Sequence, residues 1–219
     1  LELTLAGEKL LLSEDKIIYW LKEQTVFIAD LHLGKTTHFR KSGIAVPIAI
    51  IKAEISRIEH IIVKYRPKRI FFLGDLFHSD LNHEWNIFND FLQLHSSIEF
   101  TLIKGNHDIL SDKVYQLSTL QIEKEPFYVD PFVLTHHPLE NNEVNKNEMN
   151  LCGHIHPSIS LKGKGKSHLR LACFYLEPNT MVLPAFGRFT GLAKISPSKK
   201  GNIFAVLKNS VQQIGSKEG

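Results

Sequence analysis

The sequence predicts an α/β fold in which two layers of sheet are flanked by helices. Short apolar runs, Thr25–Ala29, Ile70–Leu73 and Phe100–Ile103, are separated by segments with helical spacing, the strand–helix–strand order of a parallel sheet. Beyond Phe132 the helical spacing gives way to strand after strand. With 43% of its 219 residues hydrophobic, the chain can bury a substantial core.

Leu1 to Trp20 reads as short strands with turns at Gly7-Glu8 and Ser13-Glu14-Asp15. Thr25–Ala29 is a buried strand, followed by a loop or short helix from Gly34 to Gly43. Pro47 opens a helix. Ile48, Ile51, Ile55, Ile58 and Ile62 step by three and four, so they form one apolar stripe, and Pro67 ends the helical region. Ile70–Leu73 is the second strand. Asn82–His95 is helical, with Trp85, Phe88, Phe91 and Leu92 on one side, and Phe100–Ile103 is the third strand. Ser111 caps a short helix to Leu117. In the second half, Phe132–Thr135, Met149–Cys152, Leu169–Leu176 and Met181–Leu183 are strands, with a polar loop over Asn141–Asn150. Ile203–Leu207 and Val211–Ile214 form a hairpin around Asn209-Ser210. No repeat or low-complexity linker divides the chain, so a single domain over residues 1–219 is expected, with a flexible tail at about 215–219.

Composition excludes several classes. The formal net charge of +3 permits a polyanionic partner without demanding one. Cys152 and Cys173 lie in apolar runs and read as buried reduced thiols, not a disulfide framework. No apolar run approaches bilayer length and the N-terminus lacks a signal-peptide pattern, so a cytoplasmic protein without membrane contact is expected.

The chemistry concentrates where apolar runs end. Asp30-Leu31-His32 follows the first strand. Four later segments repeat the arrangement: Gly74-Asp75, Gly105-Asn106-His107-Asp108, His136-His137 and Gly153-His154-Ile155-His156. α/β sheets place their sites at such strand ends. A single ion needs only three or four protein ligands; here there are enough for two, with one carboxylate shared. Asp30, His32 and His156 are assigned to one ion, Asn106, His136 and His154 to the other, and Asp75 bridges. His136 is preferred over His137 because it directly ends its strand. Glycines at 74, 105 and 153 let the backbone turn sharply beside the ions. Two ions roughly 3.5–4 Å apart can share a hydroxide and clamp a phosphoryl group. Oxygen and nitrogen donors without thiolate favour Mn²⁺, with Fe or Zn²⁺ as the other choices.

Together these motifs (Asp-x-His, Gly-Asp, Gly-Asn-His-Asp, a strand-end His and Gly-His-x-His) resemble the calcineurin-like metallophosphoesterases from Asp30 to His156. The resemblance implies a four-layer α/β/β/α sandwich and a dinuclear centre. It also implies that His107, not a ligand, stabilises the transition state or protonates the leaving oxygen, and that Asp108 orients His107.

A narrower resemblance, to bacterial ligase-associated DNA damage response phosphoesterases, rests on four stretches. These are Asp-Leu-His-Leu-Gly-Lys (from Asp30), His-Phe-Arg-Lys-Ser-Gly (from His38), Leu-Gly-Asp-Leu-Phe-His-Ser (from Leu73) and Leu-Pro-Ala-Phe-Gly-Arg-Phe-Thr-Gly (from Leu183). It implies a Mn²⁺-dependent phosphodiesterase or endonuclease of DNA repair, with DNA as substrate and a DNA ligase, a helicase and a second nuclease as pathway partners. The alternatives are a phosphoesterase acting on small nucleotides, nucleotide-linked lipids or phosphomonoesters, and a non-catalytic metal-binding scaffold. The presence of His107 with every ligand counts against the scaffold.

Substrate contacts are expected from Lys35, His38 and Arg40 after the first motif, from His78 three residues beyond Asp75, and from Arg188 beside Thr190. For Lys35, His38 and Arg40 the alternative is a solvated basic turn, and for His78 a capped loop histidine. Lys162, Lys164, Lys166, His168 and Arg170 form a basic hairpin suited to a nucleic-acid backbone. The short loops between motifs imply an open cleft, which suits a polymer.

Overall fold

The computed structural model describes residues 1–33, 49–77, 83–140, 142–162, 168–188, 190–196 and 198–214. Its first sheet holds β1 (Glu2–Leu5), β2 (Glu8–Leu12), β3 (Ile18–Trp20), β4 (Thr25–Ile28), β5 (Arg69–Leu73), β6 (Glu99–Ile103) and β7 (Gln121–Glu123), side by side in chain order. β1 to β4 pair antiparallel through tight turns, while β4 to β7 pair parallel. Parallel neighbours need crossovers. Helices α1 (Ala49–Tyr65) and α2 (His83–Leu94) and the short α3 (Asp112–Tyr115) lie in the three connections.

On α1 the buried face comprises Ile51, Ile55, Ile58 and Ile61, with Ile62 only partly buried. The face is centred one residue short of the expected stripe at its C-terminal end, and Ile48 lies outside the described residues. This stripe and Trp85, Phe88, Phe91 and Leu92 of α2 pack on Val26, Ile28, Ile70, Phe72, Phe100 and Leu102. The alternate residues Phe27, Phe71, Leu73 and Ile103 point the other way, into a second core shared with Phe132, Leu134, Leu151, Phe174 and Met181. Burial on both faces is why β4 to β6 read as unbroken apolar runs. Each fully buried Phe or Leu contributes roughly 1.5–3 kcal/mol of transfer free energy.

The second sheet runs β14 (Ala193–Lys194), β11 (Pro157–Lys162), β12 (His168–Glu177), β13 (Thr180–Val182), β10 (Met149–Cys152), β9 (Phe132–Leu134), β8 (Phe127–Val129). β15 (Asn202–Val206) also pairs with β12, and β16 (Val211–Ile214) with β15. Strands β7, β8, β11 and β14 were not foreseen. β7, β8 and β14 are short edge strands without a fully buried face, so no apolar run marks them.

The helices pack on the first sheet. The outer face of the second carries a small cluster of Ile159, Cys173, Ile203 and Ala205 and, among the described residues, no helix. The antiparallel pairings β11–β12 and β15–β16 are hairpins, which require no helical crossover. Of the expected four layers, helix, sheet and sheet are therefore seen. Cys152 and Cys173 are both free and buried. Among the described residues no helix is long and apolar enough to cross a membrane.

β4, β5 and β6 run parallel in one sheet and β9 and β10 run parallel in the other. Their C-terminal ends gather at a common seam, where the two cores give way to polar side chains.

Candidate metal centre

The backbone reverses sharply where the strands end. Asp30, His32, Asp75, His154 and His156 all adopt left-handed conformations, with φ of 54°, 51°, 51°, 67° and 52°. Such a residue costs of order 1–3 kcal/mol and persists only where its surroundings enforce it, and strain of this kind clusters at functional sites. Pairing continues through the reversal: His32 N donates to Asp75 O at 2.9 Å and Leu33 N to Leu76 O at 2.8 Å.

The side chains so presented converge. Asp30, His32 and His156 each offer a donor atom within 4.8 Å of the others, as do Asp30, Asp75 and His136, and His136, His137 and His154. Asp30 and His136 are completely buried and Asp75 nearly so. The Asp75 oxygens face the two halves of the site, Oδ2 lying 3.7 Å from His32 Nε2 and Oδ1 3.4 Å from His136 Nε2. That is the arrangement expected of a shared carboxylate. Asn106 Oδ1 lies 3.0 Å from His136 Nε2, in the second half.

Several contacts fix the donors. His136 Nδ1 lies 3.2 Å from Leu73 O. A carbonyl can only accept, so the proton sits on Nδ1 and the Nε2 lone pair faces Asn106, Asp75 and His154. The His154 amide donates to both oxygens of Asp30, at 3.2 and 3.0 Å. Burial, then the adjacent His136 and His137 rings, lower the pKa of His154 against the pull of Asp30 and Asp75. The neutral imidazole this favours is the form that binds a metal. Glycines complete the cradle. A Cβ on Gly74, whose φ is 75°, would overlap the His136 ring, and one on Gly153 would lie 2.6 Å from Asp30 Oδ2.

The donor set fits divalent cations. His136 Nε2 and His154 Nδ1 lie 3.1 Å apart, and His32 Nε2 and His156 Nε2 lie 3.4 Å apart, with the Asp30 and Asp75 carboxylates between the pairs. Imidazole nitrogens turned toward one another and toward buried carboxylates are what a shared cation orders.

His107 sits at the mouth, its ring 5.8 Å from that of His32, and its amide donates to Asp75 Oδ1 at 3.0 Å. Asp108 is buried, and its carboxylate accepts from Phe77 N at 3.0 Å and Gly105 N at 2.9 Å, which braces the turn carrying His107. Burial pushes the Asp108 carboxyl up to about 7, against the pull of those two amides.

One residue of the site emerges only in three dimensions. Glu125, in the connection between β7 and β8, accepts from the His136 and His137 amides at 2.6 and 3.1 Å and pairs with His137 Nδ1 at 2.9 Å. Burial alone would raise the Glu125 carboxyl; the His137 ring and the two amides outweigh it and hold it below the usual glutamate value. His137, the second choice after His136 from the sequence, lies against His154 with ring centroids 4.3 Å apart and the planes tilted by 47°. Nothing in the run Glu123-Lys124-Glu125-Pro126 signals the glutamate's role; the doubled histidine was the one available hint.

Of the expected substrate contacts, Lys35, His38, Arg40 and His78 lie outside the described residues, as do Lys164 and Lys166 of the basic hairpin. Arg188 is described: its amide donates to Glu54 Oε1 at 3.2 Å and its side chain is 58% exposed.

Residues 24–185 match the model of a family described as calcineurin-like phosphoesterase. Among solved structures the chain is similar to the crystal structure of Pseudomonas putida nuclease MPE, at 26% identity and a TM-score of 0.79, over 98% of this chain and 99% of that one. A more distant likeness is to Yfce, a phosphoesterase from E. coli, at 14% identity and a TM-score of 0.44, over 87% and 97% of the two chains. No curated protein matches the chain by sequence.

Proposed function

This chain belongs to the calcineurin-like phosphoesterase family, hydrolases of phosphoester bonds, and from that premise we propose that it is a phosphodiesterase dependent on two divalent metal ions, with DNA as its substrate. The observation that carries the reading is the overlap of the donor sets through Asp30 and His136, with Asp75 turned to both halves. Asp30, His32 and His156 would hold one ion, Asn106, His136 and His154 the other, and Asp75 would be the carboxylate shared between them. When bound, the pair of ions activates water and neutralises charge on the phosphoryl oxygens. Mn²⁺ is the preferred metal, ahead of Fe and Zn²⁺.

The protein's own groups supply the rest. The hydrogen bond from His136 Nδ1 to Leu73 O keeps Nε2 turned inward, and the His154 amide aims the Asp30 carboxylate. His107 reaches the mouth and hands a proton to the leaving oxygen. Asp108 keeps the His107 turn rigid through the Phe77 and Gly105 amides. A polynucleotide is favoured because a neighbour aligned over 98% of this chain is a nuclease, and the likeness to ligase-associated DNA damage response phosphoesterases favours DNA. The ligase-associated motifs support a role in cytoplasmic DNA repair, with a ligase, a helicase and a second nuclease as the pathway partners we propose.

The test is hydrolysis of bis-p-nitrophenyl phosphate against p-nitrophenyl phosphate, by protein stripped with chelator and reloaded with Mn²⁺ or Zn²⁺, followed by DNA. Mn²⁺-dependent cleavage of the diester and of DNA is expected. Activity confined to the monoester would overturn the nuclease reading, and two bound ions without any hydrolysis would leave a scaffold.

A further inference from the structure

The segment after Pro184 is tied to the donor cluster at both ends. Gly187 N donates to Asp30 O at 3.1 Å and Ala193 N to His156 O at 3.0 Å, so the segment runs between two residues that converge on the same half of the site. Against it lies a cleft of about 240 Å³ lined by Lys16, Arg170, Arg188 and Thr190, among others. The three cations come from three distant parts of the chain: the turn between β2 and β3, the start of β12, and the segment itself. Lys16 Nζ donates to Ala185 O at 3.1 Å, and Arg170 to Leu192 O at 3.4 Å. Among the described lining residues none is acidic. The nearby Glu54 carboxylate is shared by two cations, Arg57 at 2.6 Å and, more loosely, the Arg188 guanidinium, whose Nε lies 3.9 Å from Oε1; it also accepts the Arg188 amide. Burial, then Arg57 and Arg188, push the Lys16 ammonium down to about 8 although Glu54 opposes them. The cluster holds more positive charge than its own carboxylate neutralises.

We propose that this cleft is a second phosphate subsite, which takes a non-scissile backbone phosphate of the polynucleotide strand whose scissile phosphate lies at the donor cluster; the inference rests on the phosphodiesterase reading. Lys16, Arg170 and Arg188 supply N–H donors and charge, and the anchors on Asp30 and His156 set the subsite beside the reacting phosphate. Base edges play no part, so the contact is independent of sequence. A diester as small as bis-p-nitrophenyl phosphate has no second phosphate to place there.

The test measures binding separately from hydrolysis. Metal-loaded protein carrying His107→Ala, so that the strand stays uncut, is titrated with a short fluorescein-labelled oligodeoxynucleotide at a series of salt concentrations. Arg170→Glu and Lys16→Asn are then added singly and together; asparagine suits the left-handed φ of 64° at Lys16. Each is expected to weaken binding and to lower the slope of log affinity against log salt by about one. Lys68→Glu, just before β5 at the end of the strand opposite to the one that carries the site, controls for net charge and should leave the slope within error. In the otherwise unaltered enzyme, the same two substitutions should reduce kcat/KM on the oligonucleotide roughly tenfold more than on bis-p-nitrophenyl phosphate, as expected when phosphate contacts are lost. Slopes no lower than that of Lys68→Glu, equal losses on both substrates, or an unsubstituted protein that does not bind the oligonucleotide would each overturn the subsite. Binding that depends on the cleft, with no diester hydrolysed by the enzyme, would instead overturn the phosphodiesterase reading alone.

Discussion

Glu125 holds His136 by its backbone: the carboxylate accepts the His136 amide at 2.6 Å, and the same oxygen accepts the His137 amide at 3.1 Å. This fixes the start of the turn that presents the His136 ring to Asp75 and Asn106. Groups that orient ligands typically govern metal affinity or activity by 10–100-fold. Glu125→Ala is therefore expected to lower Mn²⁺ affinity by about that factor while the protein stays folded. Calorimetric titration of the stripped protein reads the affinity, and circular dichroism reads the fold.

Gly74 leaves no room for a side chain. Gly74→Ala places a methyl group against the His136 ring at a backbone φ of 75°. Strain of roughly 1–3 kcal/mol is expected, together with displacement of His136. The variant should melt several degrees lower and bind less metal per chain. Unchanged metal content would show that His136 lies outside the centre.

Two ions per chain is a direct expectation, since the buried Asp30 and Asp75 carboxylates face histidines on both sides. Because ligands bind the folded state alone, stripping with chelator should lower Tm, and Mn²⁺ at 100 times its dissociation constant should restore about 2.7 kcal/mol per site. Asp75→Asn should abolish turnover and remove at least one ion without unfolding the chain. Elemental analysis gives the count, and wild-type-like activity in a metal-verified Asp75→Asn protein would refute the bridge.

Away from the site, Lys64 near the end of α1 pairs with Asp15 at 2.8 Å and Glu14 at 2.9 Å, tying the helix to the turn between β2 and β3. For Asp15, burial opposes ionisation, but the Lys64 hydrogen bond and charge win and lower its pKa; for Glu14 the Lys64 hydrogen bond leads. Depressed carboxylates contribute stability that is full above their unfolded values of 3.8 and 4.5 and is lost as pH falls through the folded ones. Lys64→Met should thus cost about 0.5–1 kcal/mol at neutral pH and almost nothing near pH ~2. Thermal melts of both proteins across that range provide the check.

Much of this site was legible in the chain because each donor follows an apolar run. Strands buried on both faces must be apolar throughout, so Phe27, Phe71 and Ile103 announce the strands as plainly as the residues that follow announce the site. Short edge strands carry no such signal, which is why β7, β8 and β14 went unseen. The outer helical layer expected on the second sheet came from resemblance. The hairpin pattern from Pro157 onward had no helical period to support it.

The sequence by itself determined that Thr25–Ala29, Ile70–Leu73 and Phe100–Ile103 are strands of a parallel sheet joined through helices, the α1 face to within a residue, and which Asp, Asn and His residues end the strands. Periodicity and local chemistry are properties of neighbours along the chain, and these features need nothing more. Tertiary structure alone decided that Asp75 faces His32 on one side and His136 on the other, and that Glu125 grips the His136 turn. It alone brought Lys16, Arg170 and Arg188 around one cleft tied to Asp30 and His156. Those relationships join residues far apart in the chain. They arise only when hydrophobic burial forces the two sheets face to face and sets their strand ends side by side.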